Sequence, residues 1–390
     1  MRKNIIIGII IIALVAIGIG VYFAWQKSNQ NVGDNFDQTN NQAVNQAGNY
    51  SGQMNSISPI LPANGKIKLL SKNNALAYWI TNLSTSTQFQ SQDIFYISED
   101  GSVNKISGTS EDVIGKENLG SVKFAKPLFN ANKVLIVFKK ANSLIPEVFD
   151  IDKKIWRPLS GDELITAVDL SPDGKKMAYT IDNFKGGVDL FTIDLSNEKG
   201  KGVKLITLNI KDFDIKWVSD NTILFASKPS FDYSSEIWKF DLKTKTLSKI
   251  IESNGLIVNW SKFGDLGLKF SSAQNRSYSF SLIDNSGNSK GSFKFITFPD
   301  KCLISSPSQI YCAIPRDQSI FSTNATFPDD YLKRAVYFKE GIYQVDVGQN
   351  KFQALFEEES PIIDAINLSL YGSKLLFINR YDGKLYSLEI

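Results

Sequence analysis

Histidine is absent from all 390 residues. That removes the side chain that most often serves as general base or metal ligand near neutral pH, and with it the His-containing nucleophilic triads and His-based zinc sites. Charge of one sign is also missing: 43 Lys and Arg stand against 40 Asp and Glu, for a net charge of +3. A chain so balanced has no basic stripe for nucleic-acid phosphates, and no nucleic-acid partner is expected. Cysteine occurs only twice, so a single disulfide is the most the chain can form. No Gly-x-Ser-x-Gly elbow and no Asp-box of the sialidase type is present, and beyond Lys66 almost no apolar spacing of helical period runs for ten residues. What remains is 43% hydrophobic and 12% aromatic, enough chain for one large domain or two medium ones with a buried core.

The N-terminus carries the longest apolar run. After a stub of residues 1–4 that includes Arg2 and Lys3, residues 5–25 are dominated by Ile, Val, Ala and Gly and hold no charge. A helix of that length covers roughly 30 Å, the thickness of a bilayer's hydrocarbon core. Tyr22, Phe23 and Trp25 cluster at one end, as interfacial aromatics do, and the basic residues hold the other end at the cytoplasmic face. The expectation is an uncleaved single-pass anchor in the cytoplasmic membrane, N-terminus inside and the rest outside. A cleaved signal peptide is the competing reading, disfavoured by the length of the run and by the bulky Phe23-Ala24-Trp25-Gln26.

Residues 26–65 read as a flexible linker. As far as about Asn55, nearly half of the residues are Asn or Gln, and only Lys27, Asp34 and Asp37 are charged. Such a stretch buries too little apolar surface to offset its conformational entropy. Pro59 and Pro62 close it, and strand-like segments begin at Lys66.

From 66 to 390 short β-rich runs recur between Gly, Asn, Asp, Ser and Lys, in a pattern of strand, tight polar turn, strand, gap and strand, at intervals of about 42 to 65 residues. The clearest copy has 168–170, the turn Ser171-Pro172-Asp173-Gly174-Lys175, then 177–181, 188–195 and 203–208. The turn has a mechanism: Pro presets φ, Asp bonds its own backbone and Gly supplies φ > 0. Later copies place their outer strands at 246–251 and 292–298, and the last copy, ending near 385–388, lacks a fourth strand. The fold class is therefore all-β, a β-propeller of seven four-stranded blades, with six or eight as alternatives and a two-sheet sandwich as the other architecture. Residues 66–70 are expected to supply the missing strand and close the ring.

At Ser171 to Tyr179, followed by Leu190-Phe191-Thr192-Ile193-Asp194, the chain resembles the WD40-like, TolB-type propeller repeat. The likeness covers residues 66–390 as a pattern but is close in this one unit, and it concerns folding rather than chemistry. It implies a rigid ring that binds proteins or, in some members, carries a hydrolase domain. No separate domain like the one preceding the propeller in TolB is visible, so TolB's own partners are not carried over. The segment from Lys301-Cys302 to Tyr311-Cys312-Ala313-Ile314-Pro315, with Phe327-Pro328-Asp329-Asp330-Tyr331 after it, resembles anchored bacterial propellers, a likeness that adds no activity.

Four local features compete as sites. Cys302 and Cys312 come within bonding range if they lie on adjacent antiparallel strands, and outside the membrane a disulfide persists; two buried thiols are the alternative, with a reactive or metal-binding pair as the third. The longest irregular stretch, 316–334, mixes aromatics with charge, so Asp329, Asp330, Tyr331 and Arg334 form a candidate binding loop, against the plainer reading of a loop that covers its blade. Glu357-Glu358-Glu359 reads as a solvated turn, because consecutive residues cannot all face one ion. The Asp284-to-Asn288 turn lacks the ordered spacing of a calcium loop. No catalytic, cofactor or metal residues are assigned. The expectation is a non-catalytic, membrane-anchored module that binds another envelope protein; the alternative is a glycan-binding or glycan-processing propeller with an acidic and aromatic central pocket.

Overall fold

The second strands of most repeats are apolar along most of their length, as in Val134-Leu135-Ile136-Val137-Phe138, where every residue is buried. A strand that alternates polar and apolar residues has one dry face; these have two, because a neighbouring blade covers each side. The computed structural model describes residues 66–390 except 82–92, 130–131, 160–163, 184, 198–199 and 350. The expected stub, membrane helix and linker at 1–65 lie outside the described residues. Among the described residues no helix is long and apolar enough to cross a membrane.

The chain forms a seven-bladed β-propeller in which every blade is a four-stranded antiparallel sheet. Strand β1 (Ile67–Leu69) comes first but belongs to the last blade. Blade 1 holds β2 (Ala75–Thr81), β3 (Asp93–Ser98), β4 (Ser102–Ser107) and β5 (Ser110–Lys116). Blade 2 holds β6 (Ser121–Pro127), β7 (Lys133–Lys140), β8 (Ser143–Asp150) and β9 (Ile155–Pro158); blade 3 holds β10 (Ile165–Leu170), β11 (Lys176–Asp182), β12 (Val188–Asp194) and β13 (Val203–Leu208). Blade 4 runs through β14 (Phe213–Ser219), β15 (Thr222–Ser227), β16 (Ser234–Asp241) and β17 (Leu247–Asn254), and blade 5 through β18 (Ile257–Trp260), β19 (Leu266–Ser272), β20 (Tyr278–Asp284) and β21 (Ser289–Ser292). Blade 6 has β22 (Cys302–Ser306), β23 (Gln309–Pro315), β24 (Glu340–Asp346) and β25 (Lys351–Phe356); blade 7 has β26 (Ala365–Tyr371), β27 (Lys374–Asn379) and β28 (Leu385–Glu389). First strands of successive blades pack on one another, β2 on β6, β10 on β14 and β22 on β26, and form the inner ring.

The ring closes as the repeat pattern predicts: β1 pairs antiparallel with β28, with Ile67 opposite Leu388 and Leu69 opposite Tyr386. Ile67 is buried against Leu375, Phe377 and Leu388, so closure joins the two ends of the propeller through a shared core as well as a ladder. β1 starts on the face that carries the turns between first and second strands; there Ile390 donates its amide to Ser373 O at 2.9 Å.

The Ser171–Gly174 turn joins β10 to β11. Gly174 has φ +71°, and a Cβ there would stand 2.6 Å from the Phe129 amide nitrogen of blade 2. Ser171 Oγ donates to Asp173 Oδ1 at 2.7 Å and accepts from the Lys176 amide at 2.8 Å, which locks the hairpin.

One strand differs from expectation. The outer strand of blade 5 is Ser289–Ser292 rather than 292–298. Beyond it the Gln318 side chain takes the place of a ladder partner: Ile296 N donates to its Oε1 at 2.7 Å and its Nε2 donates to Ile296 O at 3.2 Å. The apolar residues of this stretch, Phe293, Phe295 and Phe298, join an aromatic cluster, Phe293 while its amide still donates to Phe280 O at 3.0 Å.

Candidate binding face

Between β23 and β24, where the other blades make a short turn, residues 316–339 form a strap over one face of the ring. It opens with a 3-10 turn, η2 (Gln318–Ser322), capped by Asp317, whose carboxylate accepts the Ser319 amide at 2.9 Å. It continues through the single helical turn α1 (Asp329–Leu332). Its apolar side chains point inward: Phe321, Phe327, Tyr331 and Phe338 are buried with Phe270 and Phe280 of blade 5 and Phe298 of the connection after it. Tyr331 lies flat on Phe298, with centroids 3.9 Å apart and an interplanar angle of 2°. Each such fully buried ring contributes about 1.5–3 kcal/mol of transfer free energy, enough for four of them to hold a strap that makes few ladder hydrogen bonds.

Beneath the strap lies a dry ion network. Lys301, the last residue of the 3-10 turn η1 (Pro299–Lys301) and the one directly before β22, is 0% exposed and pairs with Asp364 and with Glu340 Oε1 at 2.7 Å. Asp364 also accepts from Arg380 at 3.0 Å and from the Phe338 amide at 2.9 Å, and Glu340 Oε2 accepts the Ala365 amide at 2.7 Å. Arg380 donates to Tyr331 O at 3.0 Å and stacks 4.2 Å from the Tyr331 ring. Tyr331 OH donates to Asp300 Oδ2 at 2.7 Å. One network thus fastens the strap to blades 6 and 7.

Burial sets the protonation of this network. It pushes the Glu340 carboxyl up to about 8, against the pull of Lys301 and with the help of the Asp364 charge. It raises Asp300 as well, and it raises the Tyr331 hydroxyl, with Asp300 adding to the effect. For Lys301 burial acts downward, but Glu340 and Asp364 more than offset it and hold the ammonium above its ordinary value.

The residues expected as a binding loop separate accordingly. Tyr331 is 3% exposed and is a core side chain. Asp329 Oδ2 accepts the Phe231 amide of blade 4 at 2.7 Å, and Asp330 Oδ2 accepts the Thr326 amide at 2.7 Å. Both carboxylates hold the strap down and in shape. Arg334 alone of the four is exposed, at a left-handed φ of 57°. Cys302 and Cys312 face each other across β22 and β23 with Cα atoms 4.2 Å apart and are joined by a disulfide. Glu357 accepts from Tyr343 OH at 2.5 Å and Glu359 pairs with Arg316 at 2.9 Å. Among the described residues no group of three or more Cys, Asp or Glu is placed to hold a metal ion.

Sequence reasoning missed Lys301, Glu340, Asp364 and Arg380. The one available signal was a charged pair, Asp300-Lys301, set directly before an apolar strand; the partners sit tens of residues away and carry no mark of their own. It also missed the exposed apolar residues of the strap and the loops beside it: Leu332 is 48% exposed, Ile362 before β26 40% and Tyr381 between β27 and β28 38%. Tyr337 packs on Tyr381 at 5.4 Å, and the Arg380 guanidinium lies 4.9 Å from the Tyr337 ring.

The inner ring offers two further features. Lys126 pairs with Asp169, which accepts the Trp217 amide at 2.8 Å, so blades 2, 3 and 4 are clamped together. Lys126 also pushes its neighbour Lys216 down to about 8, with burial acting in the same direction. Between the first strands of blades 5, 6 and 7 lies a cavity of about 280 Å³ lined by Asn259, Trp260, Leu303, Ile304 and Leu368, with Asp300 its sole acidic residue.

No family model matches the chain. No curated protein matches it either. Among solved structures it is similar to the tricorn protease (TM-score 0.50, 12% identity), matching 87% of this chain and 35% of that one. It thus spans about a third of the tricorn protease chain. It is also similar to an oligogalacturonate lyase in complex with manganese (TM-score 0.53, 10% identity, 84% of this chain and 98% of that one). A third likeness is the Cps50 (Swd1) β-propeller domain of Myceliophteria thermophila (TM-score 0.51, 9% identity, 83% of this chain and 99% of that one). Identities this low show the shared WD40-like propeller fold and nothing of the chemistry, and the neighbours include a protease and a lyase as well as a propeller domain described by fold alone.

Proposed function

We propose that this protein is a membrane-anchored, extracytoplasmic propeller that acts as a non-catalytic binding module for another envelope protein, and that the strap side of blades 6 and 7 is the face that binds. The observation that carries the reading is the strap's two-sidedness: its inner side is pinned by aromatic rings and a buried ion network, while its outer side presents exposed Leu332 and half-exposed Tyr337, the latter packed on exposed Tyr381 of the neighbouring blade 7 turn. A surface held in place before it meets a partner loses little entropy on binding, and exposed Tyr and Arg on a rigid support are the residue types that dominate interface energies. The anchor at 5–25 and the linker at 26–65 then set reach and effective concentration at the membrane surface.

The glycan reading draws on Trp260 and Asp300 in the central cavity. That cavity holds one acidic residue rather than the several that a glycan-processing pocket calls for, and its walls mix aliphatic side chains with Asn259, Lys262 and Asn367. Crosslinking of the tagged full-length protein in native membranes, with a propeller-only version alongside, separates the two. A reproducible protein partner retained by the propeller alone supports the binding module. Recovery of cell-wall glycan without protein overturns it in favour of carbohydrate recognition.

A further inference from the structure

Resting on that reading, we infer that the strap patch recognises an acidic segment of its partner protein that also presents apolar side chains. The patch is continuous. Leu332, Lys333 and Arg334 follow one another at the end of α1, where the Arg334 amide donates to Tyr331 O at 3.0 Å. The same carbonyl accepts from Arg380, whose guanidinium lies against Tyr337, and Tyr337 packs on Tyr381. Lys339 closes the strap, its carbonyl accepting the Arg316 amide at 2.9 Å.

The charges on this face are of two kinds. Apart from Glu358, whose carboxylate has no partner among the described residues, the acids beside the patch are engaged: Glu357 by Tyr343, Glu359 by Arg316, Asp382 by Tyr386 OH at 2.6 Å, and Asp317 by the amide it caps. The cations are not. Lys333, Arg334 and Lys339 are exposed, and among the described residues none of them stands in an ion pair. Three free cations around an apolar and aromatic centre match a ligand that supplies carboxylates at its edges and aliphatic or aromatic side chains at its middle. An anionic membrane surface would meet the cations as well. The Tyr337–Tyr381 pair, its rings tilted by 30°, and the single-turn helix offer a shaped site rather than an amphipathic face that lies flat on lipid.

The test uses full-length protein in nanodiscs of neutral lipid and three probes: a fluorescent peptide of Glu with interspersed Leu and Phe, the same peptide with Gln for Glu, and vesicles rich in anionic phospholipid. The expected result is binding of the acidic peptide at least about tenfold tighter than its Gln counterpart, a difference of roughly 1.4 kcal/mol, and weakening as salt is raised. Joint replacement Lys333→Glu and Arg334→Glu removes that preference, and Leu332→Ser weakens both peptides, with the melting temperature unchanged because all three side chains are exposed. Equal binding of the two peptides, vesicle binding in place of peptide binding, or variants that bind like the parent overturn the inference. A crosslinked protein partner that persists in the Lys333→Glu, Arg334→Glu protein would leave the binding module standing and refute this account of what it recognises.

Discussion

Blades 3 and 6 are built from the same four strands, and they differ in what has been added. Blade 3 turns from β11 to β12 within residues 183–187 and carries the regular Ser171–Gly174 hairpin; blade 6 spends residues 316–339 on the corresponding turn and acquires a disulfide, an aromatic cluster and a buried ion network. Each region also contains an aspartate that ties blades together. Asp169 does so at the inner ring, paired with a half-exposed Lys126, whereas Asp364 does so in a place from which Lys301, Glu340 and Arg380 are all shut off from water. The repeat is therefore sufficient to make a ring, and the departures from it concentrate where a surface has to be held in one shape.

The largest break in this comparison is Asp364→Ala. It strands Lys301 and Arg380 in a dry interior, and loss of about 3–5 kcal/mol is expected in denaturant unfolding. Asp169→Ala leaves the Trp217 amide unpaired next to a lysine that water reaches, and about 1–3 kcal/mol is expected. Equal losses would mean that the two clamps do the same job.

The pH profile sharpens the contrast. Glu340 is raised from its ordinary 4.5 to about 8, so between those values the folded protein keeps a proton that the unfolded chain has released. Stability from this group is full below about 4.5 and declines as pH rises toward 8; Glu340→Gln, which mimics the protonated carboxyl, flattens the decline. Asp169 behaves in the opposite sense. Burial raises it but Lys126 and Lys216 outweigh burial and hold it below 3.8, so its contribution is present above that value and is lost only as pH falls further. Thermal melts from about pH 2 to 9 on parent, Glu340→Gln and Asp169→Asn proteins check both signs.

Joint replacement of Cys302 and Cys312 by Ala removes a cross-link spanning 10 residues, with an expected cost of about 2–3 kcal/mol by chain-entropy reasoning, read as a lower denaturation midpoint. The most local effect is that of Gly174→Ala in blade 3. A methyl at φ +71° meets the Phe129 backbone, and about 1–3 kcal/mol is expected, confined to the seam between blades 2 and 3 and visible as faster amide exchange there.

These regions were unequally legible in the sequence. Blade 3 could be read strand by strand, because its turn chemistry and its apolar runs are local signals. Closure by β1 was legible too, since the last repeat ended one strand short. The outer strand of blade 5 was misplaced because Phe293, Phe295, Ile296 and Phe298 have the composition of a strand, and only the distant Gln318 amide shows why they are not one. The strap was recognised as an irregular stretch of aromatics and charges, yet the order of its residues does not say which point inward. Asp329 and Arg334 look alike as exposed charges on paper; one caps an amide of blade 4 and the other faces solvent. Lys301 and Asp364 are 63 residues apart, and nothing short of the folded ring brings them together.

The most direct test of the account places a photocrosslinking side chain at Leu332 or Tyr381 on the strap face, and at Phe263 on the opposite face, which is 71% exposed, in the full-length protein in native membranes. The account predicts a discrete protein adduct from the two strap positions and none from Phe263. Adducts from Phe263 with none from Leu332 and Tyr381 would contradict it.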